Sequence, residues 1–176
     1  MTARWSTTIR NTSLAVAAIL LASTAAMAQS AATLVGEFKV WNAYVASTPE
    51  KTCYVASQPQ DSTYSQSISG RDPAFFMVTT IPAKNIVSEA STIIGYPFKE
   101  ASRVEVEIDG QKFSMFTQGD AAWIEVGQEP VLIDAMKRGR LMVIKGTSRR
   151  GTQTSDTYSL SGVTAALAAA LNECSR

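Results

Sequence analysis

The chain of 176 residues contains no histidine. That absence removes the Ser-His-Asp and Cys-His catalytic families, the HExxH metalloproteases and nearly every zinc site, because each needs an imidazole as base or ligand. Cysteine is almost as scarce: Cys53 and Cys174 are the only thiols, and they form no CxxC motif. No G-x-G-x-x-G or P-loop occurs, so a nucleotide cofactor has no support. Acidic residues with calcium-loop spacing are absent as well. No cofactor or metal is therefore expected. Neither sign of charge is in excess: 16 basic and 15 acidic side chains leave a net charge of +1. A nucleic-acid footprint spread over the whole surface does not fit that balance. The apolar share of 45% is ordinary for a folded soluble domain and excludes wholesale disorder.

What is present begins with an address. Leu14 to Ala22 (LAVAAILLA) is an uncharged apolar run preceded by Arg4 and Arg10. Ala26-Met27-Ala28 then places small residues at the −3 and −1 positions. This pattern predicts a secretory signal peptide over residues 1–28, cleaved before Gln29. The apolar run is too short for a bilayer span, which takes about 20 residues. The expectation is one mature domain over residues 29–176 with no transmembrane segment. Its location would be periplasmic, outer-membrane-associated or extracellular.

Export carries Cys53 and Cys174 into a compartment where disulfides persist. Two cysteines allow one intramolecular pairing. The sequence thus predicts a structural bridge between the start and the end of the mature chain.

Most of that chain reads as strands. Phe38 to Ala46 and Thr52 to Ala56 read as a hairpin, broken by Thr48-Pro49-Glu50. Residues 57–72 are rich in Ser, Gln and Thr and read as a long surface loop. Ala74 to Ile81 and Ser91 to Tyr96 read as further strands. Val104, Val106 and Ile108 alternate with Arg103, Glu105 and Glu107, the period of a half-buried strand. Asp109-Gly110 then predicts a type I′ turn, with Phe113 and Met115 on the return strand and Trp123 to Val126 following. Leu141 to Ser148 and Asp156 to Ser161 read as a second hairpin around Arg149-Arg150-Gly151. One helix is predicted from Val131 to Arg138, opened by Pro130 and ended by Gly139 at C′. Another runs from Val163 to Glu173, where Val163, Ala166, Leu167, Ala170, Leu171 and Cys174 share an apolar face. Short, closely spaced strands with two short helices predict a β-sandwich or barrel, not a parallel α/β fold.

Several of these pieces resemble the invasion-associated locus B family of exported bacterial proteins. They are Phe38-x-x-Trp41, the Val-x-Val-x-Ile-Asp-Gly-x-x-Phe stretch at 104–113, and Ala122-Trp123. The fullest match runs from Ile133 to Leu167, through Asp134-Ala135-Met136-Lys137-Arg138-Gly139, the 143–151 segment and Asp156-Thr157-Tyr158-Ser159-Leu160-Ser161-Gly162. One departure stands out. Related sequences often carry a cysteine four residues after the early tryptophan, where this chain has Val45. The resemblance implies an immunoglobulin-like β-sandwich, mainly β, with one short internal helix and a C-terminal helix. It also implies export and an association with host-cell invasion or the envelope, and no catalytic residues.

The densest charge feature is Lys137, Arg138, Arg140, Lys145, Arg149 and Arg150. Folding of the second hairpin against the first helix would gather several of these at one end. Lys145, Arg149 and Arg150 are the candidate contacts for an anion or a partner. Glu105 and Glu107 share one strand face and read as solvated carboxylates, not a glycosidase pair. Gly146 to Gly151 is too long for a nucleophile elbow and has no base. The leading expectation is a non-enzymatic exported module. It would bind an envelope or host protein, or an anionic envelope component, through the 57–72 loop and the basic turn. The alternatives are a periplasmic carrier of a small apolar ligand held between sheets, and a carboxylate-based envelope hydrolase.

Overall fold

The computed structural model describes residues 32–67 and 70–176. The expected signal peptide, residues 1–28, lies outside the described residues. Eleven strands form among them: β1 Thr33–Phe38, β2 Trp41–Ala46, β3 Thr52–Ser57, β4 Asp61–Tyr64, β5 Phe75–Ile81, β6 Ile86–Ile93, β7 Arg103–Ile108, β8 Gln111–Gln118, β9 Ala121–Ile124, β10 Leu141–Thr147 and β11 Gln153–Ser159. Two α-helices follow the sequence reading closely: α1 Glu129–Arg138 and α2 Val163–Cys174. All strands join one antiparallel sheet in the order β1-β2-β3-β5-β6-β9-β8-β7-β10-β11-β4.

The sheet bends back so that its two halves face each other over one core. Phe76 on β5 meets Trp41 on β2 and Tyr158 on β11, with ring centroids 6.4 and 6.3 Å apart. The Trp41 indole Nε1 donates to the Ser159 carbonyl at 3.0 Å, tying β2 to β11 from near opposite ends of the strand order. The mainly β architecture with an internal and a C-terminal helix is therefore present, its two layers being halves of a single sheet.

Alternation decides which side chains face inward. On β7, Val104, Val106 and Ile108 are buried, while the residues between them face outward. Leu132, Ile133, Ala135 and Met136 of α1 and Val163, Ala166, Leu167 and Ala170 of α2 enter the same core. Helix α2 packs against β1, β2, β3 and β5. Its last residue, Cys174, is bonded to Cys53 on β3 across a Cα–Cα distance of 5.8 Å. Val45 sits directly opposite Cys53 on the neighbouring strand. The bridge therefore reaches up to the helix, not across to β2.

Local chemistry explains where the sequence reading holds and where it shifts. Asp109 and Gly110 have φ of 45° and 90°, as a type I′ turn requires. Phe38 to Ala46 is not one strand, because Lys39 takes φ 62° and folds β1 back onto β2. Ser91 to Tyr96 covers only the end of a longer strand, β6, and the 57–72 segment contains β4, paired with β11. Gly139 is extended, with φ −77° and ψ 168°, so no left-handed cap demands glycine there. Space does: a Cβ would lie 2.5 Å from Ile108 Cγ2 and 2.9 Å from Leu160 Cδ1.

One core group carries a testable cost. The Tyr158 hydroxyl is buried and has no hydrogen-bond partner among the described residues. Burial foremost, then the charge of Asp156, pushes its pKa well above the ordinary tyrosine range. Tyr158→Phe removes this desolvated hydroxyl without orphaning its polar neighbour Thr92, whose Oγ1 donates to the Phe75 carbonyl at 2.9 Å. The variant should match the parent or gain up to about 1 kcal/mol in urea unfolding. A phenol held protonated by the fold also makes stability fall as pH rises past the unfolded value of about 10. The phenylalanine variant should lose less over that alkaline range, and an equal loss in both proteins would remove this account of Tyr158.

Candidate functional site

On β11 the inward positions are Thr154, Asp156 and Tyr158. A carboxylate at such a position, with its side chain 1% exposed, needs a matched cation. Arg71 supplies it from the polar segment, 85 residues away, through two parallel bonds: Nη1 to Oδ1 at 2.8 Å and Nη2 to Oδ2 at 2.5 Å. Ser62 Oγ donates to Oδ1 at 2.6 Å, and Arg71 Nε donates to the Ile94 carbonyl at 2.8 Å. The guanidinium also lies between two rings, 5.6 Å from the Tyr64 centroid and 5.5 Å from that of Tyr96. Burial by itself would lower the Arg71 pKa; the hydrogen bonds to Asp156 and Tyr64 and their charges outweigh it and raise the value. Tyr96 is in turn held by a 2.6 Å bond between its hydroxyl and Thr154 Oγ1.

This cluster ties two loops, around Arg71 and Tyr96, to the sheet and leaves an open cleft of about 610 Å³ beside it. The segments 70–72, 95–97 and 119–120 form part of the wall, and the β10–β11 turn forms the rest. Gly95 is obligatory there: its φ is +80°, and a Cβ would lie 2.0 Å from the Asp72 carbonyl oxygen. The turn itself is pinned. Gly151 N donates to the Ser148 carbonyl and Ser148 N to that of Thr152, both at 2.8 Å, and Arg149 N donates to the Pro97 carbonyl at 2.9 Å.

Of the residues singled out from sequence, Arg149 and Arg150 line this cleft and are exposed. Lys145 does not join them. It stands on the outer face of β10, 3.1 Å from Glu105 and 3.2 Å from Glu107, and Lys112 lies 3.2 Å from Glu105. Glu105 is held below the usual carboxylate range by hydrogen bonds from Lys145 and then Lys112. The two glutamates thus form an outer charge ladder and face no carboxylate across a cleft. Nor do the six basic residues gather at one end. Lys137, Arg138 and Arg140 precede β10 and Arg149 and Arg150 follow it, and seven extended residues separate them by about 20 Å. The space that an apolar carrier would need between the sheet halves is filled by Trp41, Phe76, Met115, Met142 and Tyr158.

Sequence reasoning missed Arg71 and Asp156. The available signal was an aspartate at an inward-alternating position between Thr154 and Tyr158, which demands a buried partner. Among the described residues no group of three or more acidic or thiol side chains is placed to hold a metal ion. The cleft offers fixed charges, hydroxyls and backbone groups.

These features define a mainly β protein with two helices and a charge-lined cleft on a disulfide-stapled sheet. The family model for Invasion associated locus B (IalB) protein matches residues 41–171, and the chain belongs to that family. Among solved structures it is similar to the crystal structure of invasion associated protein b from Bartonella henselae. The TM-score is 0.58 at 11% identity, covering 82% of this chain and 99% of that one. At that identity the likeness concerns the fold. No curated protein matches the chain. Among the described residues no helix is long and apolar enough to cross a membrane.

Proposed function

We propose that this chain is an exported envelope protein that binds its partner without transforming it, and that the cleft at the β10–β11 turn is the contact surface. The observation that carries this reading is the pair Arg149–Arg150: two exposed guanidinium groups on a pinned turn, in no ion pair among the described residues. The exposed cations on the strands, Arg103, Lys112 and Lys145, are matched by carboxylates; Lys39, Lys99, Lys137 and Arg140 are also in no ion pair among the described residues, but none of them lines this cleft. Family membership and the signal-peptide pattern support export, and the Bartonella protein's description as invasion-associated supports a role at the cell envelope.

The test is co-sedimentation of residues 29–176 with vesicles of phosphatidylethanolamine and phosphatidylglycerol at low ionic strength. Each basic residue near an anionic surface contributes about 1 kcal/mol. Arg149→Ala/Arg150→Ala should therefore lower partitioning about tenfold or more, and added salt should do the same to the parent. Lys145→Ala, which removes a cation already matched by glutamates, should change little. Equal partitioning of the parent and the double variant would refute the reading, as would recovery of uncleaved chain from the cytosol of the native bacterium.

A further inference from the structure

We infer that the cleft recognises a small zwitterion of the phosphoethanolamine type, its phosphate on the Arg149–Arg150 wall and its primary ammonium on the Asp72–Asp120 wall. This rests on the cleft being the contact surface, and it names what that surface takes. Asp72, Asp120, Arg149 and Arg150 all line one cleft, yet no ion pair among the described residues includes any of them. On the outer sheet face, by contrast, opposite charges at facing positions close onto each other, as Lys145 does with Glu105 and Glu107. Three of the four are tied down at their backbones. Asp72 N donates to the Gly95 carbonyl at 3.0 Å, Ile94 N to that of Asp120 at 3.3 Å, and Arg149 N to that of Pro97 at 2.9 Å.

The third cation of the cleft, Arg71, is already matched by Asp156. The remaining charges are two positive and two negative. A simple anion meets the repulsion of the carboxylates and a simple cation that of the arginines, whereas a molecule with both ends satisfies both walls.

The anionic end is assigned by donor number. Ser148 and Thr152 line the arginine side and are only 8% and 2% exposed. Ser148 Oγ accepts the Thr152 N–H and Thr152 Oγ1 accepts Gln66 Nε2, and neither hydroxyl proton has an acceptor among the described residues. Two guanidinium groups and two free hydroxyl donors suit the tetrahedrally splayed oxygens of a phosphate, three in a monoester and two with their ester neighbours in a diester, better than the planar pair of a carboxylate. The cationic end is assigned by the acceptors. Carboxylates take N–H donors, while a quaternary ammonium calls for an open aromatic face. The Tyr96 ring is already engaged by Arg71.

The experiment is an NMR shift titration of residues 29–176 with O-phosphoethanolamine, inorganic phosphate, ethanolamine and phosphocholine. O-phosphoethanolamine should bind at least tenfold tighter than each of the other three. Arg149→Ala/Arg150→Ala should reduce it to the level of ethanolamine. Asp72→Asn/Asp120→Asn should weaken it while strengthening inorganic phosphate. All four side chains are exposed, so the variants should keep the parent circular dichroism spectrum. Inorganic phosphate binding as tightly as O-phosphoethanolamine, or an unchanged affinity in the aspartate variant, would overturn the inference. Vesicle binding that persists while the titration shows nothing would end this inference and leave the envelope reading standing. Competition of O-phosphoethanolamine by phosphatidylethanolamine vesicles identifies a lipid headgroup as the source. Soluble binding without competition identifies the free compound.

Discussion

Replacing Arg71 with alanine is expected to destabilise the fold by about 3–5 kcal/mol, because it strands a buried carboxylate. The Asp156 side chain is 1% exposed and that of Arg71 10% exposed, so the intact pair is largely shut off from water. The loss also removes the Nε bond to the Ile94 carbonyl and the guanidinium from between Tyr64 and Tyr96. Urea unfolding followed by tryptophan fluorescence measures it. Replacing both partners, as Arg71→Met/Asp156→Leu, should recover much of the stability, since two apolar groups leave no unmatched charge. The double variant should still bind less well than the parent, because the loops that wall the cleft lose the guanidinium that ties them to β11. A single-variant loss below about 1 kcal/mol would show that the pair is not the buried clamp described here.

The second large effect is expected from the disulfide. Cys53 and Cys174 are 121 residues apart, so opening the bridge frees most of the described chain in the unfolded state. For loops of this order the chain-entropy treatment gives about 4–5 kcal/mol. Cys53→Ala/Cys174→Ala should therefore unfold at a much lower urea concentration with native-like circular dichroism beforehand. Loss of structure should begin at α2, whose Cys174 end is pinned by the bond, although Val163, Ala166, Leu167 and Ala170 still hold its other turns in the core. A midpoint equal to that of the oxidised parent would mean that the bridge contributes nothing.

How much of this was legible in advance follows from the range of each interaction. The β7–β8 hairpin announces itself because alternation and the Asp109-Gly110 turn lie within a dozen residues. Helix α2 does so through its apolar face. The cysteine pair is legible despite its distance because two thiols leave one pairing. The strand order is not, since it depends on how the sheet halves close. The strand β4, four mostly exposed residues at the sheet edge within a polar segment, has no apolar pattern to reveal it. The separation of Arg140 from Arg149 already follows from the strand reading of Leu141 to Ser148, an extended segment with the two arginines at its opposite ends. The Arg71–Asp156 clamp joins positions 85 residues apart, and only the inward placement of Asp156 hints at it.

The most direct test of the cleft as the contact surface is an NMR map of isotope-labelled residues 29–176 against phosphatidylethanolamine–phosphatidylglycerol nanodiscs. The account predicts shifts and broadening confined to residues 70–72, 95–97, 119–120 and 148–152. Perturbations centred instead on the outer face around Glu105, Lys112 and Lys145, with the turn at 148–152 silent, would contradict it.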